Sequence, residues 1–174
     1  EMCIRDRGGL PTWITTNTSN GTSGSDGSLG NTARTDGTQR SFTETLLKSV
    51  LKQCYDSGGD PECIMVGSFN KQKLSGFTGN ATREVQAADN KLYAAISVYQ
   101  SDFGELEVIT NRFMRARDCL VLEKRMFAVA YLRPIRMVRL AKTGDSERRQ
   151  IITEFTMEVR NEASSGAVWD LTTS

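Results

Sequence analysis

Histidine is absent from this 174-residue chain, and there are only four cysteines and three prolines. Without histidine, the sequence cannot contain a histidine general base, a Ser-His-Asp triad or a histidine-ligated metal. The cysteines form no C-x-x-C pair, which argues against a zinc knuckle and a dithiol redox motif. We therefore predict reduced, mostly buried thiols, no cofactor, no metal site and no enzymatic activity.

Long apolar runs are also missing. No segment approaches the ~20 apolar residues that a membrane-spanning helix needs, and the first residues lack the apolar core of a signal peptide. The sequence therefore predicts a soluble protein made in a reducing cytoplasm. The chain is long enough for one domain with a real core, since a body of this size buries roughly two thirds of its unfolded surface.

Charge is balanced over the whole chain but not along it. The 22 basic and 21 acidic residues leave a net charge of +1, which gives no long-range field. From Arg112 to Arg149, however, there are eleven basic and four acidic residues. This excess could contact nucleic-acid phosphates or pair with carboxylates of neighbouring subunits. Pairing is favoured, because the basic residues lie in different predicted elements without interleaved aromatic residues.

The first forty residues are read as three short segments. Residues 1–7 do not connect sensibly to the segment that begins at Gly8, and we predict that they are non-native sequence. Residues 8–40 are predicted to be a connecting segment followed by a flexible loop. Nineteen of the twenty-four residues at 17–40 are Gly, Ser, Thr, Asn or Asp, which leaves too little apolar surface to offset the entropy of ordering.

One helix is strongly indicated after this loop. Ser41 and Glu44 fit a capping box, and apolar residues then recur on one face at helical spacing until Gly58 and Gly59 end the helix. The sequence next predicts a short buried strand at 63–66, a second helix at 68–77 and a polar loop at 78–91.

Strand patterns dominate the rest of the chain. Residues 92–100 and 105–113 predict a hairpin whose turn contains Gly104, and residues 119–122 predict another short strand. From residue 127, a strand-like run breaks at a charged turn at 142–145 and returns through 151–160, where apolar and polar side chains alternate. This alternation predicts a half-buried strand. Residues 167–171 are predicted to close the sheet after a turn at Gly166.

Two arrangements could suggest chemistry, and neither is supported. Glu154 and Glu158 share one strand face about 13 Å apart, which is wider than the carboxylate pair of a glycosidase. The triplet at 102–104 matches the metal-binding Asp-Phe-Gly of protein kinases, but the Gly-rich phosphate loop and the histidine-containing catalytic loop are missing. We predict a turn for the triplet and solvent-facing or intersubunit ion pairs for the two glutamates.

A set of short motifs occurs in a characteristic order. They are the helix ending in Gly58-Gly59-Asp60-Pro61, then Asp102-Phe103-Gly104, Asn111-Arg112-Phe113-Met114, Leu132-Arg133-Pro134, Leu140-Ala141-Lys142-Thr143-Gly144-Asp145 and Glu158-Val159-Arg160-Asn161-Glu162-Ala163. In order and spacing they resemble the C-terminal half of tailed-bacteriophage major capsid proteins of the SU-ten-like type. The resemblance covers about residues 8–171.

The resemblance implies an α+β fold of the HK-ninety-seven type. Residues 41–125 would form the axial domain, and residues 126–174 would supply strands of the peripheral domain. In that family an N-terminal arm, an extended loop and a long spine helix precede the region that corresponds to Gly8. The resemblance therefore implies that this chain is a C-terminal fragment from which these three elements are missing.

The implied function is structural. The resemblance implies a major capsid subunit that assembles with itself into hexamers and pentamers of an icosahedral head around double-stranded DNA. Further implied partners are portal, scaffolding and decoration proteins and the packaged DNA, contacted non-specifically on the inner face; no membrane is implied. The expected location is the virion, after synthesis in the bacterial host cytoplasm.

Mixed charges on the strands after residue 126 are predicted to contact neighbouring subunits, because such charges give orientation and register. The predicted contact residues are Arg133, Arg136, Lys142, Asp145, Glu154, Glu158 and Arg160. Three alternatives stay open: a nucleic-acid-binding domain that uses the basic excess from Arg112 to Arg149, an encapsulin-like compartment shell, and an enzyme of unknown type.

Overall fold

The computed structural model describes residues 8–28, 32–77, 97–142 and 144–173. The predictions for residues 1–7 and 78–91, and most of the strand predicted at 92–100, lie outside the described residues. The elements within these ranges are α1 (Leu10–Trp13), β1 (Asn17–Ser19), α2 (Glu44–Asp56), β2 (Cys63–Val66), α3 (Ser68–Ser75), β3 (Val98–Ser101), β4 (Gly104–Thr110), β5 (Cys119–Leu122), β6 (Phe127–Arg139), β7 (Arg149–Val159) and β8 (Gly166–Val168), with 3₁₀ helices at Lys124–Met126 and Glu162–Ser164.

The strands are divided between two sheets. A six-stranded mixed sheet has the order β1-β8-β5-β2-β4-β3, and β6 and β7 form a separate antiparallel pair that we call the ribbon. Helices together with a mixed sheet confirm the predicted α+β class. The strands predicted at 63–66 and 119–122 have the bounds that the sequence indicated, because each is a short apolar run between turn residues.

Helix α2 lies against the sheet through the apolar stripe that its sequence predicts. Leu47, Val50, Leu51 and Cys54 are all buried, and each fully buried aliphatic side chain of this kind contributes about 1.5–3 kcal/mol. The capping box predicted at Ser41 is not formed. The helix begins later, at Glu44, and its N-cap residue Thr43 makes no side-chain hydrogen bond.

Gly166 allows α2 to approach strand β8 closely. A Cβ atom at this position would lie 2.5 Å from Val50 Cγ1 and 2.8 Å from Cys54 Sγ, both on α2. Contacts this short do not occur without displacement of one of the two elements, so a residue without a side chain is required here. The turn glycine of the sequence therefore also sets the distance between helix and sheet.

Both faces of the six-stranded sheet are covered at β5, whereas β3 and β4 expose one face. Along β5, Cys119 and Val121 face the cluster that contains α2, whereas Leu120 and Leu122 face a second cluster around Trp169. All four β5 residues are buried, as expected when successive side chains of a strand enter cores on opposite faces.

Where the structure describes it, the segment at 17–40 makes contacts with the body that its composition does not indicate, and its flexibility stays a prediction. Its first residues form β1, which pairs in parallel with β8. Isolated bridges join Ser25 to Thr35 and Arg40 to Leu171, and Arg34 is only 8% exposed. The apolar surface is indeed scarce, but buried ion pairs and hydrogen bonds take its place.

The ribbon differs from the half-buried strand that alternation predicted. Ile151 is 68% exposed and Tyr131 is 59% exposed, so the apolar side of the strands is not covered by the described residues. The closing segment at 167–171 joins the six-stranded sheet through β8, which lies between β1 and β5. Gly166 is the first residue of this strand and not part of the predicted turn.

Candidate functional site

The strand register divides the ribbon into an apolar face and a charged face. Directly opposed residues of an antiparallel pair project on the same side, and alternate residues share that side. The opposed pairs on the apolar face are Phe127 with Val159, Val129 with Met157, Tyr131 with Phe155 and Met137 with Ile151.

The charged face contains two ion pairs formed by predicted contact residues. Arg133 lies opposite Glu154, and its Nε donates to Glu154 Oε2 at 2.7 Å, which raises the pKa of Arg133. Arg160 follows the end of β7, and its Nε donates to Glu158 Oε1 at 3.1 Å. Both pairs are exposed to solvent, so each contributes little to the stability of the isolated chain.

The remaining predicted contact residues lie nearer the far end of the ribbon. Arg136 is opposite Ile152, and Lys142 and Asp145 lie in the connection between β6 and β7. Gly144 in this connection has φ +71°, which is the left-handed region that glycine adopts without a steric cost. The structure thus gathers all seven residues on one ribbon and its immediate continuation; their contact with neighbouring subunits stays a prediction.

The apolar face is the part of this surface that sequence reasoning missed. Val129 is 56% exposed and Met137 is 60% exposed, and the rings of Tyr131 and Phe155 have centroids 5.9 Å apart. The length of the two strands is the feature of the sequence that could have indicated this exposed apolar face. The ribbon strands have 13 and 11 residues, whereas β4, the longest strand of the six-stranded sheet, has seven, so a body of this size cannot cover them along their whole length.

A groove lies where the ribbon leaves the six-stranded sheet. It is lined by Leu10 of α1, Leu122 of β5, Lys124, and Phe127, Ala128, Val129 and Met157 of the ribbon. Because three of these residues also belong to the apolar face, the groove and that face form one continuous apolar surface.

A second candidate site is a buried cluster of charges centred on Asp170, next to the segment at 17–40. Arg34 Nη2 donates to Asp170 Oδ2 at 3.0 Å, and Arg117 Nη2 donates to Asp170 Oδ1 at 3.2 Å. The backbone amides of Gly21 and Gly37 donate to the same carboxylate at 3.0 and 2.9 Å. Burial acts to raise the pKa of Asp170, but the Arg34 guanidinium and the two amides outweigh burial and lower it.

Asp118 lies at the margin of this cluster and lacks comparable support. It is 1% exposed, and neither of its carboxylate oxygens accepts a hydrogen bond from the described residues. The nearest cation is Arg115, whose Nε is 3.7 Å from Asp118 Oδ2, while its Nη2 is 2.6 Å from Asp36 Oδ2. Burial raises the pKa of Asp118 to about 6, and Arg115 offsets only part of this effect.

Three of the four cysteines lie in the part of the chain that the structure describes. Cys54, Cys63 and Cys119 are unpaired and buried, as the sequence predicted, and burial raises the pKa of Cys54 to about 12. Within residues 8–28, 32–77, 97–142 and 144–173, no three His, Cys, Asp or Glu side chains are arranged to hold a metal ion. The described helices include none that is long and apolar enough to cross a membrane.

Comparison with known protein families identifies the class of this chain. The model of the SU10 major capsid protein family matches residues 4–172. The chain therefore belongs to the SU10 major capsid protein family. This result confirms the family that the sequence motifs predicted.

Two solved structures resemble the chain at low sequence identity. A virus-like particle from Pyrococcus furiosus is 8% identical, with a TM-score of 0.39, and the match covers 75% of this chain and 54% of that chain. The satellite phage P4 procapsid including size determination (Sid) protein is 12% identical, with a TM-score of 0.49, and the match covers 95% of this chain and 60% of that chain. The chain thus spans little more than half the length of these relatives. No curated protein matches it.

Proposed function

We propose that this chain forms part of the shell of a tailed bacteriophage, in which many copies assemble into hexamers and pentamers of an icosahedral head around double-stranded DNA. The observation that carries the proposal is the ribbon, which exposes one apolar face and one charged face. The virion is the site of action of a capsid subunit, and we propose synthesis in the cytoplasm of the bacterial host.

The apolar face of the ribbon supports a role in assembly. Soluble monomers rarely expose a continuous apolar patch of several large side chains unless it binds a partner. Four of its residues, Val129, Tyr131, Met137 and Ile151, are each more than half exposed. In a symmetric shell the same modest contact recurs in every copy, so many weak interfaces together give a stable particle.

The charged face supplies orientation. We propose that Arg133, Arg136, Lys142, Asp145, Glu154, Glu158 and Arg160 contact neighbouring subunits, as the sequence predicts. Charges at the rim of an interface favour the correct register and oppose wrong pairings, while adding little to affinity. The exposed ion pairs of Arg133 with Glu154 and Arg160 with Glu158 are suitable for this role, because each can exchange partners at small cost.

The proposed domain division follows the family resemblance. Residues 41–125 would be the axial domain and residues 126–174 would supply peripheral strands, after a connecting segment at 8–40. The six-stranded sheet combines strands from all three segments, since β1 and β8 complete it on the far side of β5. We propose that this sheet fixes the direction in which the ribbon leaves the body.

A second candidate function is nucleic-acid binding through the basic excess from Arg112 to Arg149. Exposed arginines of the ribbon favour it, and contact with packaged DNA on the inner face would use the same chemistry. Binding of duplex DNA by the unassembled chain, with a steep dependence on salt concentration, would support this function over shell formation. Portal, scaffolding and decoration proteins are further proposed partners.

Electron microscopy of the expressed chain tests shell formation. We expect particles from the wild type, and we expect Tyr131→Ser to reduce their yield because it removes an exposed aromatic side chain from the apolar face. Phe113→Ser is the matched control, since Phe113 is 90% exposed but lies outside the ribbon. Melting temperatures of both variants should remain close to the wild type.

The composition of the particles distinguishes the related alternatives. Enclosed nucleic acid supports a phage head, and enclosed protein cargo without nucleic acid supports an encapsulin-like compartment. A wild-type chain that stays monomeric over a range of salt, pH and protein concentration would contradict shell formation by this chain.

A further inference from the structure

Two aromatic side chains form an exposed pair on the six-stranded body, away from the ribbon. Tyr55, at the end of α2, stacks on Phe103 in the turn between β3 and β4, with ring centroids 4.9 Å apart and an angle of 29° between the rings. Tyr55 is 59% exposed and Phe103 is 38% exposed. Aromatic side chains that remain accessible in this way are frequent anchors of protein interfaces.

Acidic residues lie close in sequence to both members of this aromatic pair. Asp56 adjoins Tyr55, Asp102 adjoins Phe103, and Glu105 lies at the start of β4; all three are exposed. We call these five residues the acidic aromatic patch. Lys52, one turn earlier on α2, offsets one of the three negative charges.

Asp102 also acts on Tyr99, a buried residue of β3. Burial is the main cause that raises the pKa of Tyr99 to about 12, and Glu44 and, more weakly, Asp102 add to it because a nearby negative charge disfavours the phenolate form.

The far end of the ribbon carries the opposite charge. Residues 136–149 contain five basic side chains and two acidic ones, and we call this region the basic ribbon end. Its basic residues are Arg136, Arg139, Lys142, Arg148 and Arg149. Arg139 and Arg149 share the single carboxylate of Glu147, at 3.3 and 3.4 Å, so one acidic group balances two guanidinium groups.

The chemistry of the two surfaces is complementary. A guanidinium group that is stacked on an aromatic ring can pair with a carboxylate at the same time. The acidic aromatic patch offers both kinds of partner side by side. The basic ribbon end of the same chain does not cover the patch, because Tyr55 and Phe103 are exposed in the folded chain. A ribbon with a 13-residue strand extends about 40 Å, enough to reach a neighbouring molecule.

We propose that the basic ribbon end of one copy docks on the acidic aromatic patch of a second copy. This inference rests on the proposed function, since it names the partner surface for one part of the ribbon. The contact joins two different surfaces, so it repeats head to tail and either closes into a ring or continues as an array. A contact of this type is therefore compatible with the rings of a shell.

Reversal of charge on each side separately tests the docking. One variant carries Asp56→Lys with Asp102→Lys, and the other carries Arg139→Glu with Arg149→Glu. Each should weaken self-association of the full chain by at least about tenfold in sedimentation velocity, because like charges then face each other. An equimolar mixture of the two variants should associate again, because each then offers one surface that complements the other.

A third variant controls for net charge. Glu62→Lys with Glu107→Lys makes the same change in net charge as the first variant but lies next to Lys124 and Arg125, outside the acidic aromatic patch. It should associate like the wild type. Circular dichroism and melting temperature establish that each variant is folded before association is measured.

The possible results separate the docking from the proposed function. If the wild type assembles and the first two variants assemble equally well, the docking is wrong while shell formation stands. The docking is also wrong if both variants fail and their mixture does not recover. A wild type that remains monomeric under all conditions contradicts both proposals.

Discussion

Val121 in the six-stranded sheet and Val129 in the ribbon are both strand valines, yet the first is fully buried and the second is 56% exposed. The same contrast separates two arginine–carboxylate pairs. The side chains of Arg34 and Asp170 are 2% and 0% exposed, whereas those of Arg133 and Glu154 are 48% and 38% exposed. These residues of the body are thus buried with their partners, and the corresponding residues of the ribbon are exposed to solvent.

This difference assigns separate roles to residues of the same type. In the body, removal of one partner leaves a charge or a cavity that water cannot reach, so the cost falls on folding. On the ribbon, water replaces the lost partner and the isolated chain changes little in stability. Substitutions at four positions test whether mutations in the body change folding stability and mutations on the ribbon do not. The positions are Asp170, Asp118, Gly166 and Arg160.

The largest loss of stability is expected for Asp170→Asn. Asp170 has φ +59°, which Asn tolerates, so the substitution mainly removes the negative charge. The buried Arg34 and the half-buried Arg117 would then lose the carboxylate that they share, at a cost of about 3–5 kcal/mol in the free energy of unfolding. Urea denaturation measures this loss of stability. The corresponding ribbon variant, Glu154→Gln, should lose less than about 1 kcal/mol. Equal losses in the two variants would contradict the proposed difference between body and ribbon.

Asp118→Asn should act in the opposite direction. The pKa of Asp118 is about 6 in the folded chain, above the ordinary value of 3.8. Asp118 therefore favours folding below about pH 4, and this contribution is lost as the pH rises through 6. At pH 7 the variant should be more stable than the wild type by about 2–3 kcal/mol, and this advantage should shrink towards pH 4.

The measurement for Asp118 is the free energy of unfolding at several pH values between 4 and 7. The charged groups that face it are Arg115, Arg34, Asp36 and Asp170, and Asp36 and Asp170 have lowered pKa values that act mainly below this range. A constant difference between variant and wild type across the range would show that Asp118 does not titrate as proposed.

A smaller loss is expected for Gly166→Ala. The added methyl group would clash with Val50 and Cys54 of α2, and overpacking of this kind typically costs about 1–3 kcal/mol. Gly9→Ala is the matched control, because its Cβ atom would find Pro11 Cδ at 3.7 Å, an ordinary contact. Thermal unfolding compares the two. A Gly166→Ala variant as stable as the control would mean that α2 and β8 are not held at this distance.

The smallest effect on folding is expected for Arg160→Glu. Its ion pair with Glu158 is exposed, so reversal should change the free energy of unfolding by no more than about 1 kcal/mol. Particle yield should fall much more, because the reversed charge faces the partner subunit in the proposed interface. Arg112→Glu is the control, because it reverses a charge outside the ribbon. If stability and particle yield of Arg160→Glu fall in proportion, Arg160 is not part of the interface.

Local elements of the fold were predictable because their causes are local. The apolar spacing of Leu47, Val50 and Leu51 defines the face of α2, and the run at 119–122 defines β5 with its correct bounds. The predicted start of α2 was too early, because the hydroxyl of Ser41 is present in the sequence but does not cap the helix. The contacts of the segment at 17–40 could not be predicted from its composition, since they involve Asp170, which lies more than a hundred residues later.

The candidate site was predictable to a similar degree. The charged residues on β6, β7 and their connection were identified from alternation and from the family motifs, and the structure places them on one ribbon. The exposed apolar face was not predicted, because the sequence of an alternating strand is the same whether its apolar side packs against a core or is exposed for a partner. The stacking of Tyr55 on Phe103 could not be predicted either, since these residues are 48 positions apart in the sequence.

The amino-acid sequence by itself determined the class of protein, the helix and strand periodicities and the absence of histidine chemistry. Those properties follow from residue type and spacing along the chain. Only the tertiary structure decided which strands share a sheet, which arginine–aspartate pairs are buried and which apolar face stays open. Burial depends on what distant segments bring against a residue, and this long-range geometry separates the stable body of the molecule from the ribbon that we propose for assembly.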